Sequence, residues 1–356
     1  MKYLLSSVCI CLLLSCQNSR NNIKTEKIVR ENFPKIIKLT SQVMAIESVS
    51  VAFRYNIIRD SLLLVENYSP DPYYFEIYNI KNNKKILNFG RRGKGPNELL
   101  SGKFISNAVN TKNQNEFFIQ DIVGKKILQY NIDSLLLRKN VARPVETEVP
   151  DFVDNFSKFD NQNFICHNLY SIDEANFNNE VEDIFIYSKK SLKKPDASNC
   201  KFFTFNVSGS LVFSSLSENR IIVANQYSNK LDFYNTKLQY LKRIEGPDLV
   251  NVEYEKRNGN QIYFKKGKSF FGYSAGVSLG NSLYLVYEGV ASYDFNDPKT
   301  LPKVEIFKFD WNGKLLSRFI LDRFIYTISV SSDEKKLYGT SIDHNGKQIL
   351  VKYTLF

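Results

Sequence analysis

Histidine is nearly absent from this chain: there are two in 356 residues, His167 and His344. They stand far apart, and neither belongs to a His-x-x-x-His or His-Glu-x-x-His arrangement, so no imidazole-based metal site is expected. Cysteine is almost as sparse. Of the five, Cys9, Cys11 and Cys16 lie at the N-terminus, which leaves Cys166 and Cys200 in the body of the chain. A disulfide between those two and a pair of buried thiols are both open readings, because sequence does not give the Cα separation. Long apolar runs are missing after residue 14, so no later segment has the roughly 20 apolar residues that a bilayer-spanning helix needs.

What the N-terminus does have is a secretion signal. Lys2 is a short basic region, residues 4–14 are apolar, and Leu13-Leu14-Ser15-Cys16 looks like the lipobox of a bacterial lipoprotein. A plain signal peptide and a membrane span compete with this reading, but the apolar run is about half the length of a span. Cleavage before Cys16 frees its thiol for diacylglycerol attachment and its amine for acylation. The expected organisation is a signal peptide over 1–15, a polar flexible tether over 16–31, and one folded unit over 32–356. The membrane is then a partner through the lipid anchor.

The formal charge is +11, yet the cations are scattered among 37 carboxylates. That dispersal argues against nucleic-acid binding, which needs a basic stripe or face. Aromatic residues make up 14% of the chain, mostly Phe and Tyr, which suits half-buried pleated surfaces.

A repeated hairpin organises the chain after residue 45. Phe75-Glu76-Ile77-Tyr78-Asn79 turns into Ile86-Leu87-Asn88-Phe89, and Ile127-Leu128-Gln129-Tyr130-Asn131 into Leu135-Leu136-Leu137. Leu231-Asp232-Phe233-Tyr234 and Val304-Glu305-Ile306-Phe307 begin two further copies, and Ile349-Leu350-Val351-Lys352-Tyr353 begins the last, which has no return strand. Two more short strands precede each hairpin, which makes a four-stranded unit of propeller-blade size. The fold expected is all-β, a six-bladed β-propeller of four-stranded antiparallel blades, at about 46–90, 101–140, 153–195, 203–245, 270–321 and 324–356. The spare strand over residues 34–40 is expected to pair beside 349–353 and close the ring.

Two motifs invite chemistry. Residues 89–99 hold Gly90, Gly93 and Gly95 with Arg91, Arg92 and Lys94, a composition that can cradle an anion. A Walker loop requires Ser or Thr after Gly-Lys, whereas Gly95-Pro96 follows Lys94, and no long helical pattern comes next. The same Gly-Pro turn recurs at Gly246-Pro247, so the segment reads as a crossover between blades. Gly272-Tyr273-Ser274-Ala275-Gly276 fits a nucleophile elbow, with His344 and Asp343, Asp322 or Asp310 later in the chain. It runs into another strand rather than a helix, so no catalytic residue is assigned.

The lipobox, a first blade ending in Phe89-Gly90, and Gly93-x-Gly95-Pro96-x-Glu98-Leu99 resemble the TolB-like six-bladed propeller lipoproteins of Bacteroidota. Arg92 and Leu99 depart from that pattern, where an acidic residue and an aromatic are frequent. The resemblance covers residues 35–356 and implies a fold and a cellular address more than a reaction. The absence of an acidic cluster after Cys16 points to the periplasmic face of the outer membrane. The expected function is a ligand- or protein-binding scaffold without a cofactor, its partner an envelope protein or a glycan. Candidate contacts are Arg91, Arg92 and Lys94 with Tyr68, Tyr73 and Tyr74; replacing the three cations by Gln is expected to spare folding. The alternative is a calcium-dependent lactone or ester hydrolase of the six-bladed type, for which Glu98, Asp121, Asp154 and Asn225 are the oxygen donors to consider.

Overall fold

The computed structural model describes residues 24–46, 52–67, 72–105, 115–138, 144–149, 153–160, 163–168, 184–188, 209–250, 252–257, 261–265, 267–291 and 298–355. Cys16, Tyr68 and Cys200 lie outside these residues, and Cys166 is a free, buried thiol.

Antiparallel sheets at 52–91, 102–148, 153–188, 210–245, 270–321 and 329–354 form the six blades of a propeller. The first strands of successive blades meet around a central axis. Strand alternation explains how the blades hold together. In Leu62–Asn67, Leu62 and Leu64 pack toward blade two, whereas Leu63 and Val65 pack toward blade six. In blade two, Phe117 and Ile119 join the cluster shared with blade one, and Phe118 joins the cluster shared with blade three. Because both faces of a blade are covered, period two sends alternate residues to opposite neighbours. The result, among the described residues, is one apolar cluster between each pair of adjacent blades.

The N-terminal segment is laced along the outer edges of the last three blades. Strand β1 (Thr25–Lys27) pairs in parallel with Tyr240–Glu245 of blade four. Strand β2 (Ile36–Leu39) pairs in parallel with Leu315–Leu321 of blade five. Strand β3 (Gln42–Met44) pairs antiparallel with Gln348–Thr354 and becomes the fourth strand of blade six. Each pairing covers the open donors and acceptors of an outermost strand.

Three expectations are corrected here. The tether does not run to residue 31: 24–31 belong to the folded body, because blade four offers an unpaired edge to β1 and the Arg30 side chain finds two carboxylates. The closing strand is β3, and the segment over 34–40 instead serves blade five. Asp322 Oδ2 accepts from Ser41 N (3.1 Å) and Ser41 Oγ (2.9 Å), pinning the chain as it passes from one blade to the next. The third correction lies in blade two, where Leu135-Leu136-Leu137 is part of helix α1 (Ile132–Arg138) and the return strand is Val145–Glu148. Ile132 and Leu135, at i and i+3, are buried, whereas Leu137 is exposed. Asn131 Oδ1 caps the helix by accepting from Ser134 N at 2.9 Å.

Arg30 fastens the lace. Its Nη1 and Nη2 donate to the two oxygens of Asp248 at 2.7 and 2.8 Å, and its Nε donates to Glu305 Oε2 at 2.9 Å. Tyr287 also donates to Asp248, and Arg318 to Glu305. Replacing Arg30 by Met leaves Asp248 to Tyr287 and Glu305 to Arg318 but removes three charged hydrogen bonds from carboxylates that are more than two-thirds buried. The expected loss is about 2 kcal/mol, read from the shift of the urea midpoint at constant slope.

Candidate functional site

The mouth of the central channel gathers side chains from every blade. Arg54, Asn56 and Glu66 come from blade one, Lys103, Phe104 and Ile105 from blade two, and Asn155 from blade three. Leu211 and Gln226 come from blade four, Ser274 and Ala275 from blade five, and Tyr326 and Thr327 from the approach to blade six. They border a cavity of about 90 Å³ that opens to solvent, smaller than most drug-sized ligand sites. Most lie at the start of a first strand or the end of a second one, the end of each blade where crossovers from the preceding blade arrive.

Charge in this cavity is mixed. Glu66 Oε1 accepts from Phe104 N at 3.1 Å, and Arg54 Nη1 lies 3.9 Å from Glu66 Oε2. Burial pushes the Glu66 carboxyl above the usual range, against Arg54, the Phe104 N–H and Lys103. Burial and the Arg54 guanidinium hold the Lys103 amine below the usual lysine range, against the pull of Asp154 and Glu66. The Ser274 hydroxyl is buried and has no hydrogen-bond partner among the described residues. Beside the mouth, Tyr227 follows Gln226 and packs against Phe264 (5.2 Å between ring centres) and Phe271 (6.0 Å). Phe264 belongs to a hairpin formed by Tyr254–Arg257 and Gln261–Phe264, inserted between blades four and five, and stacks on Tyr254.

The glycine-rich crossover lies elsewhere, on blade one's outer edge. Tyr73 and Arg91 are cross-strand partners. Arg92 lies over the Tyr74 ring at 3.7 Å and donates to Asn67 O at 2.7 Å, while Tyr74 OH donates to Leu100 O at 2.6 Å. Lys94 is exposed in the turn. The anion this loop holds is its own: Glu98 Oε2 accepts from Gly95 N at 2.8 Å, and Glu98 Oε1 is 3.5 Å from Arg91 Nε. A Cβ on Gly93, whose φ is +153°, would stand 1.9 Å from Glu98 Oε2. The carboxylate thus occupies the space a phosphate would need. None of the five candidates Tyr73, Tyr74, Arg91, Arg92 and Lys94 lines the channel cavity.

The nucleophile-elbow motif is a stretch of strand Phe270–Leu279. Its glycines serve packing: a Cβ on Gly272 would be 1.8 Å from Ser228 O, and one on Gly276 2.6 Å from Phe213 Cζ, both in blade four. His344 is exposed in a turn whose Asp343 accepts from Asn345 N and Lys347 N. Asp322 is engaged by Ser41, and Asp310 closes a turn through Asn312 N and Lys314 N.

The oxygens considered for calcium are dispersed in the same way. Asp121 accepts from Leu100 N, Ser101 N and Gly124 N, Asp154 meets His167 Nδ1 at 2.6 Å, and Asn225 Oδ1 accepts from Tyr227 N. Among the described residues, no three His, Cys, Asp or Glu side chains gather as a metal site.

The ring geometry and the sequence agree on the family. The TolB-like 6-blade propeller-like family matches residues 32–333, and the chain belongs to it. A protein of Bacteroides fragilis described as exported is similar in fold, with a TM-score of 0.51 at 11% identity, covering 94% of this chain and 100% of that one. A DUF4221-family member from Bacteroides vulgatus gives 0.48 at 11% identity, covering 89% and 96%. No curated protein matches the sequence.

The expectation that Arg91, Arg92 and Lys94 are dispensable for folding needs dividing. Arg92→Gln removes a charged hydrogen bond and a ring contact, so a loss of about 2 kcal/mol in denaturant unfolding is expected. Arg91→Gln and Lys94→Gln should each stay within about 0.5 kcal/mol of the parent.

Proposed function

We propose that this protein is an exported, lipid-anchored propeller of the cell envelope that binds a small polar ligand at the mouth of its central channel. The observation that carries the binding reading is the convergence of all six blades on one open cavity with a buried hydroxyl and a cation in its lining. Packing alone does not require a lysine on the axis of a propeller, where desolvation disfavours its charge. Rigid blades hold the polar groups in place before a ligand arrives, so little ordering cost falls on binding.

Export and anchoring rest on the lipobox ending at Cys16, and the protein of similar fold described as exported is in keeping with the export alone. The folded body begins by residue 25, so Cys16 is joined to it by only a few residues. A short link of this kind holds the propeller close to the membrane, a setting for capturing small solutes or an envelope partner on the periplasmic side. The crossover with Arg91, Arg92, Lys94, Tyr73 and Tyr74 is the surface proposed for such a partner, with an envelope protein or a glycan as its chemistry.

Anchoring is tested by replacing Cys16 with Ser: incorporation of labelled palmitate should disappear, and the protein should leave the membrane fraction. Retention of both label and membrane association in the variant would remove the anchor from the proposal. Binding is tested by a thermal-shift screen of small polar metabolites on the intact protein. Hits should vanish in Gln226→Trp, which fills the cavity; hits that survive unchanged place the ligand outside the channel.

A further inference from the structure

We propose that Lys103 at the channel mouth is a nucleophilic amine that captures small carbonyl compounds, joining them to the chain through a reversible imine. This rests on the channel being the ligand site and adds the class of ligand and the bond that holds it. Lys103 lines the cavity, half-buried, and among the described residues its amine makes no hydrogen bond and has no carboxylate within 4.0 Å. Other lysines drawn out of solvent are treated differently: Lys126, Lys158, Lys242 and Lys308 each donate to an oxygen at 3.0 Å or less. The charged groups that face Lys103 are Arg54, Glu66 and Asp154. Glu66 Oε1 is turned to Phe104 N, and Asp154 is held by His167 Nδ1 at 2.6 Å, so neither clamps the amine. Burial and the Arg54 charge, whatever else the guanidinium bonds to, favour the neutral amine, and a lysine so placed is a nucleophile.

The size of the cavity favours a covalent grip. About 90 Å³ admits a ligand of only a few heavy atoms, and contact free energy scales with their number. A bond to Lys103 supplies what so small a contact does not. In the reaction the Nζ lone pair attacks the carbonyl carbon, the π pair moves to the oxygen, and one nitrogen proton passes to that oxygen. The second nitrogen proton and the new hydroxyl then leave as water, and the C=N bond forms without an oxidant or reductant. Ser274 Oγ, buried in the lining without a partner, is the hydroxyl free to donate to the carbonyl oxygen. Glu66, whose burial favours its protonated form, is the acid the lining offers for the loss of water. The Asn56 and Gln226 amides suit a carbonyl compound that also bears a hydroxyl.

The test treats the full-length protein in detergent at neutral pH with glycolaldehyde and sodium cyanoborohydride, which reduces the imine to a stable amine, and maps the adduct by peptide mass spectrometry. Lys103 should label about 10-fold or more faster than exposed lysines such as Lys81, Lys94 and Lys237, because it holds more of its neutral form. Its rate should also level off at a lower pH than theirs. Gln226→Trp, which fills the cavity, should suppress labelling of Lys103 and leave the exposed lysines unchanged, with a melting temperature near the parent's showing that it folds. Benzaldehyde, too bulky for the cavity, should label Lys103 no faster than the exposed lysines, a comparison that tests the cavity on the parent itself. Labelling of Lys103 at the rate of the exposed lysines overturns the proposal, while the channel reading stands provided that screen hits are still lost in Gln226→Trp. Fast labelling by benzaldehyde, or fast labelling that survives in folded Gln226→Trp, overturns capture in the cavity. Screen hits that survive Gln226→Trp overturn the channel reading itself.

Discussion

The seam between blade six and blade one is the constraint on which the ring depends, because there the first blade of the chain has to meet the last. Thr340 Oγ1 accepts from Tyr55 N at 2.7 Å, Thr327 Oγ1 donates to Tyr55 O at 2.9 Å, and the two hydroxyls lie 2.7 Å apart. Ser329 Oγ accepts from Ile57 N, and Asp60, three residues further on, accepts from Ser332 N. Side-chain hydroxyls thus do between first strands what ladder bonds do within a blade. The apolar cluster of Tyr55, Leu63, Val65, Tyr78, Tyr338 and Leu350 closes around them. Polar groups at such a depth are stabilising only when every partner is present, which makes the seam intolerant of misregister.

The N-terminal lace serves the same end from the outside. A propeller removes edges from its interior but leaves one outer strand per blade exposed. Here three of those edges are covered by 21 residues of one segment, from Lys24 to Met44. Phe33 enters the blade four–five cluster with its ring 4.8 Å from Phe307, and Leu39 enters the blade five–six cluster. With Arg30 bridging Asp248 and Glu305, the lace couples three blades, so the geometry of the channel mouth is held from both inside and outside the ring.

Much of the fold was legible because it is written in local pattern. Alternation in the hairpins at 75–89, 231–241 and 304–316 reads directly as strands, and their spacing counts the blades. Where local pattern was ambiguous, the reading failed: three consecutive leucines at 135–137 fit a strand as well as a helix, and the Asn131 cap with the buried i, i+3 pair decided for the helix. The candidate site was far less legible. The glycine-rich crossover drew attention because its residues are adjacent in sequence. The channel lining is drawn from all six blades, with Arg54 and Tyr326 at nearly opposite ends of the chain, and it leaves no local signature.

By itself, the sequence determined the class of structure and the number of repeating units, since each is encoded within a few tens of neighbouring residues by period or turn chemistry. Only the tertiary structure decided which glycines serve packing, which anion the crossover holds, which edge each N-terminal strand covers, and that Lys103, Arg54 and Ser274 share one cavity. The physical reason is closure. Joining the first blade to the last brings first strands from across the chain onto one axis, and the charges and hydroxyls that meet there have no neighbours in sequence to announce them.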